Sequence, residues 1–239
     1  MPNVCVCSDY FTTNTDGELC LIPGSMGLKQ TLVFSTVGVS SFTKADYPNL
    51  ARIRVQVQGA GGGAAGANSL PGEAIVRPGG AAGGYSESLI DVSALGAVES
   101  IVVGAGGAAG TTLTSGGTGG SSSFGGLVIA NGGGGGHAIQ TSGTSMDVSS
   151  GIQGPAPGVG DIVEGGGSSG GAIRLNGTNG ISGAGGESRL GHGGFSRASE
   201  GTGTTPTGFG AGAGGGLSYE NPLQGEAGGQ GIVIIDLYF

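Results

Sequence analysis

Long stretches of this chain are backbone with almost no side chains, and that feature limits its folds more than any other. Tracts such as GAGGGAAGA at 59–67, GAGGAAG at 104–110 and NGGGGG at 131–136 belong to a total of 60 glycines in 239 residues. An ordered glycine costs roughly 0.5–1 kcal/mol more backbone entropy than alanine. Order in these tracts therefore requires something that only a missing Cβ permits. Close approach of neighbouring backbones is such a requirement, as at the crowded axis of collagen. No Gly-X-Y frame is sustained here and proline is scarce, so collagen itself is set aside. The opposing reading is a flexible linker or a disordered chain. Against it, only 10% of residues are charged, while 36% are hydrophobic and gathered into compact runs.

Those runs read as strands. In ARIRVQVQ, residues 51–58, Ile53, Val55 and Val57 alternate with Arg54, Gln56 and Gln58, the period-two pattern of a half-buried strand. Further strands are expected at 30–34, 40–47, 85–92, 100–103 and 127–130. The closing GIVIIDLYF is apolar on both faces and reads as a buried strand. No segment has the periodicity of an amphipathic helix. Twice, at 58–59 and 103–104, an apolar strand feeds directly into a glycine tract.

Within the tracts glycine recurs every third residue: Gly104, Gly107 and Gly110; Gly177, Gly180, Gly183 and Gly186; Gly225, Gly228 and Gly231. Three residues per turn is the period of a polyproline II-type helix, which makes no internal hydrogen bonds. Its amides must be paired between neighbours, and a bundle of such helices meets that need. The expected fold is all-β. A small β-sandwich-like module over 29–132 and 231–239 carries an inserted glycine-rich polyglycine II bundle over 133–230, preceded by an attachment or oligomerisation segment over 1–28. Exposed strand edges need covering, and a trimer is the expected assembly.

The order IRVQVQGAGGG, GGYSESLIDVSAL, SIVVGAGGAAG, GGSSSFGGLVIANGGGGG and GGQGIVIIDLYF resembles the glycine-rich domain of bacteriophage minor tail and tail-fibre proteins. The likeness covers residues 31–136 and 225–239. The interval between them is similar, in architecture alone, to the polyglycine II adhesin tips of T-even-type fibres. The resemblance implies a structural and adhesive protein without enzymatic activity or cofactor, carried on the virion tail or tail tip. It would touch other tail proteins through its N-terminal segment and a host cell-surface glycan or protein through its loops. The N-terminal MPNVC lacks the basic and apolar regions of a secretory signal, consistent with synthesis in a host cytoplasm and release by lysis.

Charge and motifs narrow the chemistry. A net charge of −8 with only 8 Lys and Arg argues against nucleic acid or anionic membrane as partner, and no apolar stretch is long enough for a membrane-spanning helix. IVVGAGGAAG imitates a dinucleotide-binding turn, but TTLTSGGTGG follows where a helix should open. GGSSG at 166–170 fits a nucleophile elbow in letters only. Cys5, Cys7 and Cys20 are three possible thiolate ligands, one short of a closed zinc site; packing or disulfides are the other readings. Receptor contacts are expected in the non-glycine clusters at 68–78, 137–150, 188–200 and 217–224, on His137, Arg189, His192, Phe195, Arg197, Tyr219 and Asn221. Loop anchoring is the alternative role for the same residues. A purely structural tail subunit is the rival function. A polysaccharide depolymerase, a second rival, would need paired acids from among Asp147, Asp161 and Glu164, and an ice-binding glycine bundle is a third.

Overall fold

A computed structural model describes residues 11–22 and 27–239 of the chain. Eighteen strands are present among them. In chain order they are β1 (Phe11–Thr13), β2 (Leu19–Leu21), β3 (Leu28–Phe34), β4 (Gly38–Thr43), β5 (Arg52–Gln58), β6 (Ile75–Val76), β7 (Tyr85–Asp91), β8 (Val98–Val103), β9 (Ser122–Phe124) and β10 (Val128–Ala130). There follow β11 (Asp147–Ser149), β12 (Ile162–Glu164), β13 (Ala172–Asn176), β14 (Asn179–Ile181), β15 (Leu190–His192), β16 (Thr207–Phe209), β17 (Leu217–Ser218) and β18 (Ile232–Tyr238). Two short 3-10 turns are the helical elements among the described residues, so the protein is all-β.

Two antiparallel sheets share one core. One has the order β12-β7-β5-β18-β3, the other β10-β9-β8-β4. The alternation read at 51–58 decides which face turns inward: Ile53, Val55 and Val57 are fully buried, beside Val233, Ile235 and Leu237 of β18. From the second sheet come Phe42, Ile101, Val103, Phe124 and Val128. Phe42 stacks on Tyr47 at 5.0 Å between ring centroids and meets Phe124 edge-on at 5.8 Å. Each large side chain so buried contributes roughly 1.5–3 kcal/mol. The strand expected at 40–47 is cut short at Thr43. Lys44 turns the chain there, and its ammonium donates to the carbonyls of Val92 and Leu95, both at 3.1 Å.

At one end of the two sheets, strand after strand runs on as a glycine tract. β5 continues into 59–67, β8 into 104–110, β10 into 131–136 and β12 into 165–171, while 79–84 feeds β7, 114–121 feeds β9 and 224–231 feeds β18. The tract at 59–67 distributes its amides in strict rotation. Gly59 and Gly62 donate to Gly84 and Ala81; Ala60, Gly63 and Gly66 to Gly120, Gly117 and Thr114; Gly61, Ala64 and Ala67 to Gly229, Glu226 and Leu223. Its carbonyls accept from three further tracts, through Gly107 and Gly110, Gly133 and Gly136, and Ala213. Six backbones thus surround this one, and every third residue addresses the same neighbour. At Gly62 a Cβ would fall on the carbonyl of Gly134, and at Gly61 on that of Ala211, so side chains are excluded by backbone proximity.

Space is divided differently from the chain. Tracts from 59–121 interleave with tracts from 131–231, and β12, inside the interval 133–230, joins the sheet of β7. That interval also contains strands of two to five residues, β11 to β17, too short to show an alternation in sequence. Of the N-terminal segment, Cys5 and Cys7 lie outside the described residues. Cys20 sits half-buried on β2 as a free thiol.

Candidate functional site

The side chains with chemistry gather in three places. The first is a cleft of about 410 Å³ where β7 and β12 meet the turn before β15, lined by Tyr85, Glu164, Glu187, Ser188 and Arg189 among glycine backbones. Tyr85 opens β7 opposite Glu164 of β12, so pairing register alone brings them together. The Tyr85 hydroxyl donates to Glu87 Oε2 at 2.7 Å and approaches Gln56 Oε1 at 3.1 Å, while Arg54 Nε donates to Glu87 Oε1 at 2.6 Å. The hydrogen bond from Arg54 is the main reason the Glu87 carboxyl lies below its ordinary range. Burial, reinforced by Glu87, pushes the Tyr85 phenol up, which keeps the proton on the hydroxyl that donates to Glu87. The Arg189 guanidinium lies 4.4 Å from the centre of the Tyr85 ring and pairs with Glu164, and His192 Nδ1 lies 3.0 Å from Glu187 Oε2.

The second place is a groove of about 360 Å³ bounded by His137, Ile139, Gln140, Asp147 and Val148. Two buried arginines shape its surroundings. Arg77, 1% exposed, donates from Nε to the Gly66 carbonyl at 2.7 Å and from Nη1 to that of Gln140 at 2.8 Å. Burial lowers its guanidinium to about 10, so it stays protonated at neutral pH. Arg174 donates to the carbonyls of Ala74, Thr141 and Ser145 and sits 3.6 Å from Asp147.

The third place is the loop after β17. Glu200 Oε1 accepts the amides of Tyr219, Glu220 and Asn221 at 2.9, 3.2 and 3.3 Å, and its Oε2 accepts Asn221 Nδ2 at 3.0 Å. These bonds, that of the Tyr219 amide foremost, hold the Glu200 carboxyl below its usual range. Nothing in the spacing of Glu200 and Tyr219 announces the cap, because the chain must first run out and back through 204–216.

The seven candidate contact residues are therefore distributed and do not form one site. Arg189 lines the cleft and His192 meets its Glu187 from outside, His137 borders the groove, and Tyr219 and Asn221 belong to the capped loop. Phe195 is exposed with Arg197 5.5 Å from its ring, and Arg197 Nε donates to the Thr202 carbonyl at 2.7 Å. Arg189, Arg197 and Asn221 thus hold loops in shape, whereas His137, His192 and Phe195 face solvent.

The three acids considered for glycan cleavage do not converge: Asp147 borders the groove, Glu164 the cleft, and Asp161 accepts the Leu89 amide at 3.2 Å. Sequence reasoning missed Glu87, Glu187 and Glu200, which find their partners only through the fold. No group of three His, Cys, Asp or Glu able to hold a metal exists among the described residues. The amides of Gly107 and Gly110, in the imitation of a dinucleotide turn, are already given to the carbonyls of Gly61 and Ala64, and a loop follows instead of a helix. In GGSSG, the Ser168 and Ser169 hydroxyls accept the amides of Gly154 and Ile152.

No curated protein matches the chain. The family described as "Glycine-rich domain" matches residues 36–238, a span from β4 to β18 that takes in every strand of the two large sheets except β3, and every glycine tract. On that match the chain belongs to the glycine-rich domain family.

Proposed function

We propose that this protein is a structural and adhesive component of a bacteriophage tail, presenting loops to the host cell surface from a polyglycine II lattice. One observation carries the reading. The glycine tracts leave the same end of the sandwich and are cross-bonded to one another with a three-residue rotation, so the loops between them are held away from the end where Leu28 pairs with Tyr238. Three residues per turn with outward amides is the geometry of polyglycine II, and six surrounding backbones are what such a lattice needs. The segments at 68–78, 137–150, 188–200 and 217–224 carry the candidate contacts; the tracts hold position.

On this reading the sandwich end, with the segment before it, faces other tail proteins, and the assembly is a trimer. The outer edges of β3 and β4, of seven and six residues and without a further strand among the described residues, support oligomerisation, because long open edges are otherwise a liability. Weak contacts by single loops would be compensated by avidity among copies. A purely structural tail subunit is favoured by a different observation, that Arg189, Arg197 and Asn221 are occupied within the protein.

Fluorescently labelled protein incubated with cells of the phage host separates the two. Binding that disappears when the exposed side chains of His137, His192 and Phe195 are replaced by Ser supports adhesion. Absence of binding by the unaltered protein rejects adhesion in favour of the structural role.

A further inference from the structure

The three-stranded sheet β11-β13-β14 carries its alternation in reverse. Its inner face presents Ala172, packed with Val76 and Leu217, and Arg174, 5% exposed and satisfied by backbone carbonyls. Its outer face is a row of aliphatic residues. Val148 stands opposite Ile173, and Ile173 opposite Ile181, with exposures of 63, 43 and 51%. Leu175 and Met146 extend the row, each more than half exposed. An antiparallel sheet with one face in water ordinarily turns polar residues outward. Single exposed hydrophobes are commonplace, whereas a contiguous patch of this size marks an interaction surface.

We infer that this face is an interface between two copies of the chain. Three properties select a second copy as the occupant. The first is area: at about 200 Å² per large aliphatic residue, the five exposures amount to roughly 570 Å², so two faces together remove about 1,100 Å², enough to clear the roughly 1,000 Å² expected of a biological interface. The second is symmetry: Ile173 lies at the centre of the row, so a two-fold axis through it sets Val148 of one copy on Ile181 of the other, the self-complementarity an isologous contact demands. The third is charge: the chain carries a net −8, which keeps most surfaces of two copies apart, but the carboxylate beside this row, Asp147, is held by Arg174. Two such sheets would pack face to face at about 10 Å. The contact is separate from the edges of β3 and β4 and does not depend on the adhesive reading.

Sedimentation of the full chain across a concentration series tests it, comparing the unaltered protein with Ile173→Asp and with Ile173→Cys. The expected result is self-association that weakens at least tenfold in Ile173→Asp while the melting curve keeps its shape, and a disulfide joining position 173 of two copies of Ile173→Cys, mapped by mass spectrometry. An unaltered protein that is monomeric throughout overturns the inference. So does an oligomer whose mass is the same with Ile173→Asp, or a position 173 that fails to link to itself. Loss of association with host-cell binding retained leaves the adhesive reading standing, and the reverse pattern removes that reading alone.

Discussion

The amide of Gly62 meets the carbonyl of Ala81 at 2.8 Å, and the opposite flank of Gly62 has no room for a methyl group because the carbonyl of Gly134 lies there. Gly62→Ala must therefore push two backbones apart in a region where both are pinned by further bonds. A loss of roughly 3 kcal/mol or more is expected, at the upper end for a single substitution. Gly126→Ala is the control: its Cβ would meet nothing within 4 Å, and stability should move by less than about 0.5 kcal/mol. Chemical denaturation of both variants checks the contrast.

Arg77 is buried with no acid paired to it among the described residues, its charge borne by the carbonyls of Gly66 and Gln140. Arg77→Met keeps much of the volume and removes both donors. With each orphaned buried acceptor costing about 1–3 kcal/mol, destabilisation of about 2–5 kcal/mol is expected. Hydrogen exchange should also quicken in the segments that Arg77 ties together, 66–77 and 137–141.

Glu87 has a folded pKa below its unfolded value, chiefly through Arg54. Its contribution to stability is complete above the ordinary glutamate range, about pH 4.3, and is lost as pH falls through the depressed folded value. The unaltered protein should thus lose stability with acid more steeply below about pH 4 than Glu87→Gln does. At neutral pH the variant should be weaker by roughly 1 kcal/mol, since Arg54 is partly solvated. Denaturant midpoints measured from pH 3 to 7 give both quantities.

Glu200→Ala strips the acceptor from three successive amides. Stability should fall by about 1–2 kcal/mol, comparable to the loss of a helix cap. Exchange at residues 219–221 should accelerate far more than at Gly62, whose amide is held by the Ala81 carbonyl. Uniform acceleration across both would show that the carboxylate does not cap this loop.

The core was legible wherever a strand was long enough to alternate. Residues 51–58 gave the position and the inward face of β5, and the run at 231–239 gave β18, now seen between β5 and β3. Period-three glycine also carried spatial information: Gly225, Gly228 and Gly231 donate to Gly110, Gly107 and Gly104 in turn. Gly177 and Gly180 share the spacing yet belong to the hairpin of β13 and β14, because two β-forming aliphatics, Ile173 and Ile181, pair across it. The cleft and the capped loop were not legible. Their defining contacts, Arg189 with Glu164 and Glu200 with Asn221, join residues more than twenty positions apart. No local pattern encodes such a meeting.

Because the strands pass into tracts without changing direction, a pull between Tyr238 and the distal loops is directed along the backbones and across the bonds that join them. Tension is then shared by many amide–carbonyl pairs loaded side by side in shear, and none can be peeled open ahead of the rest. A fibre tip anchored at one end and gripping at the other would experience that direction of stress.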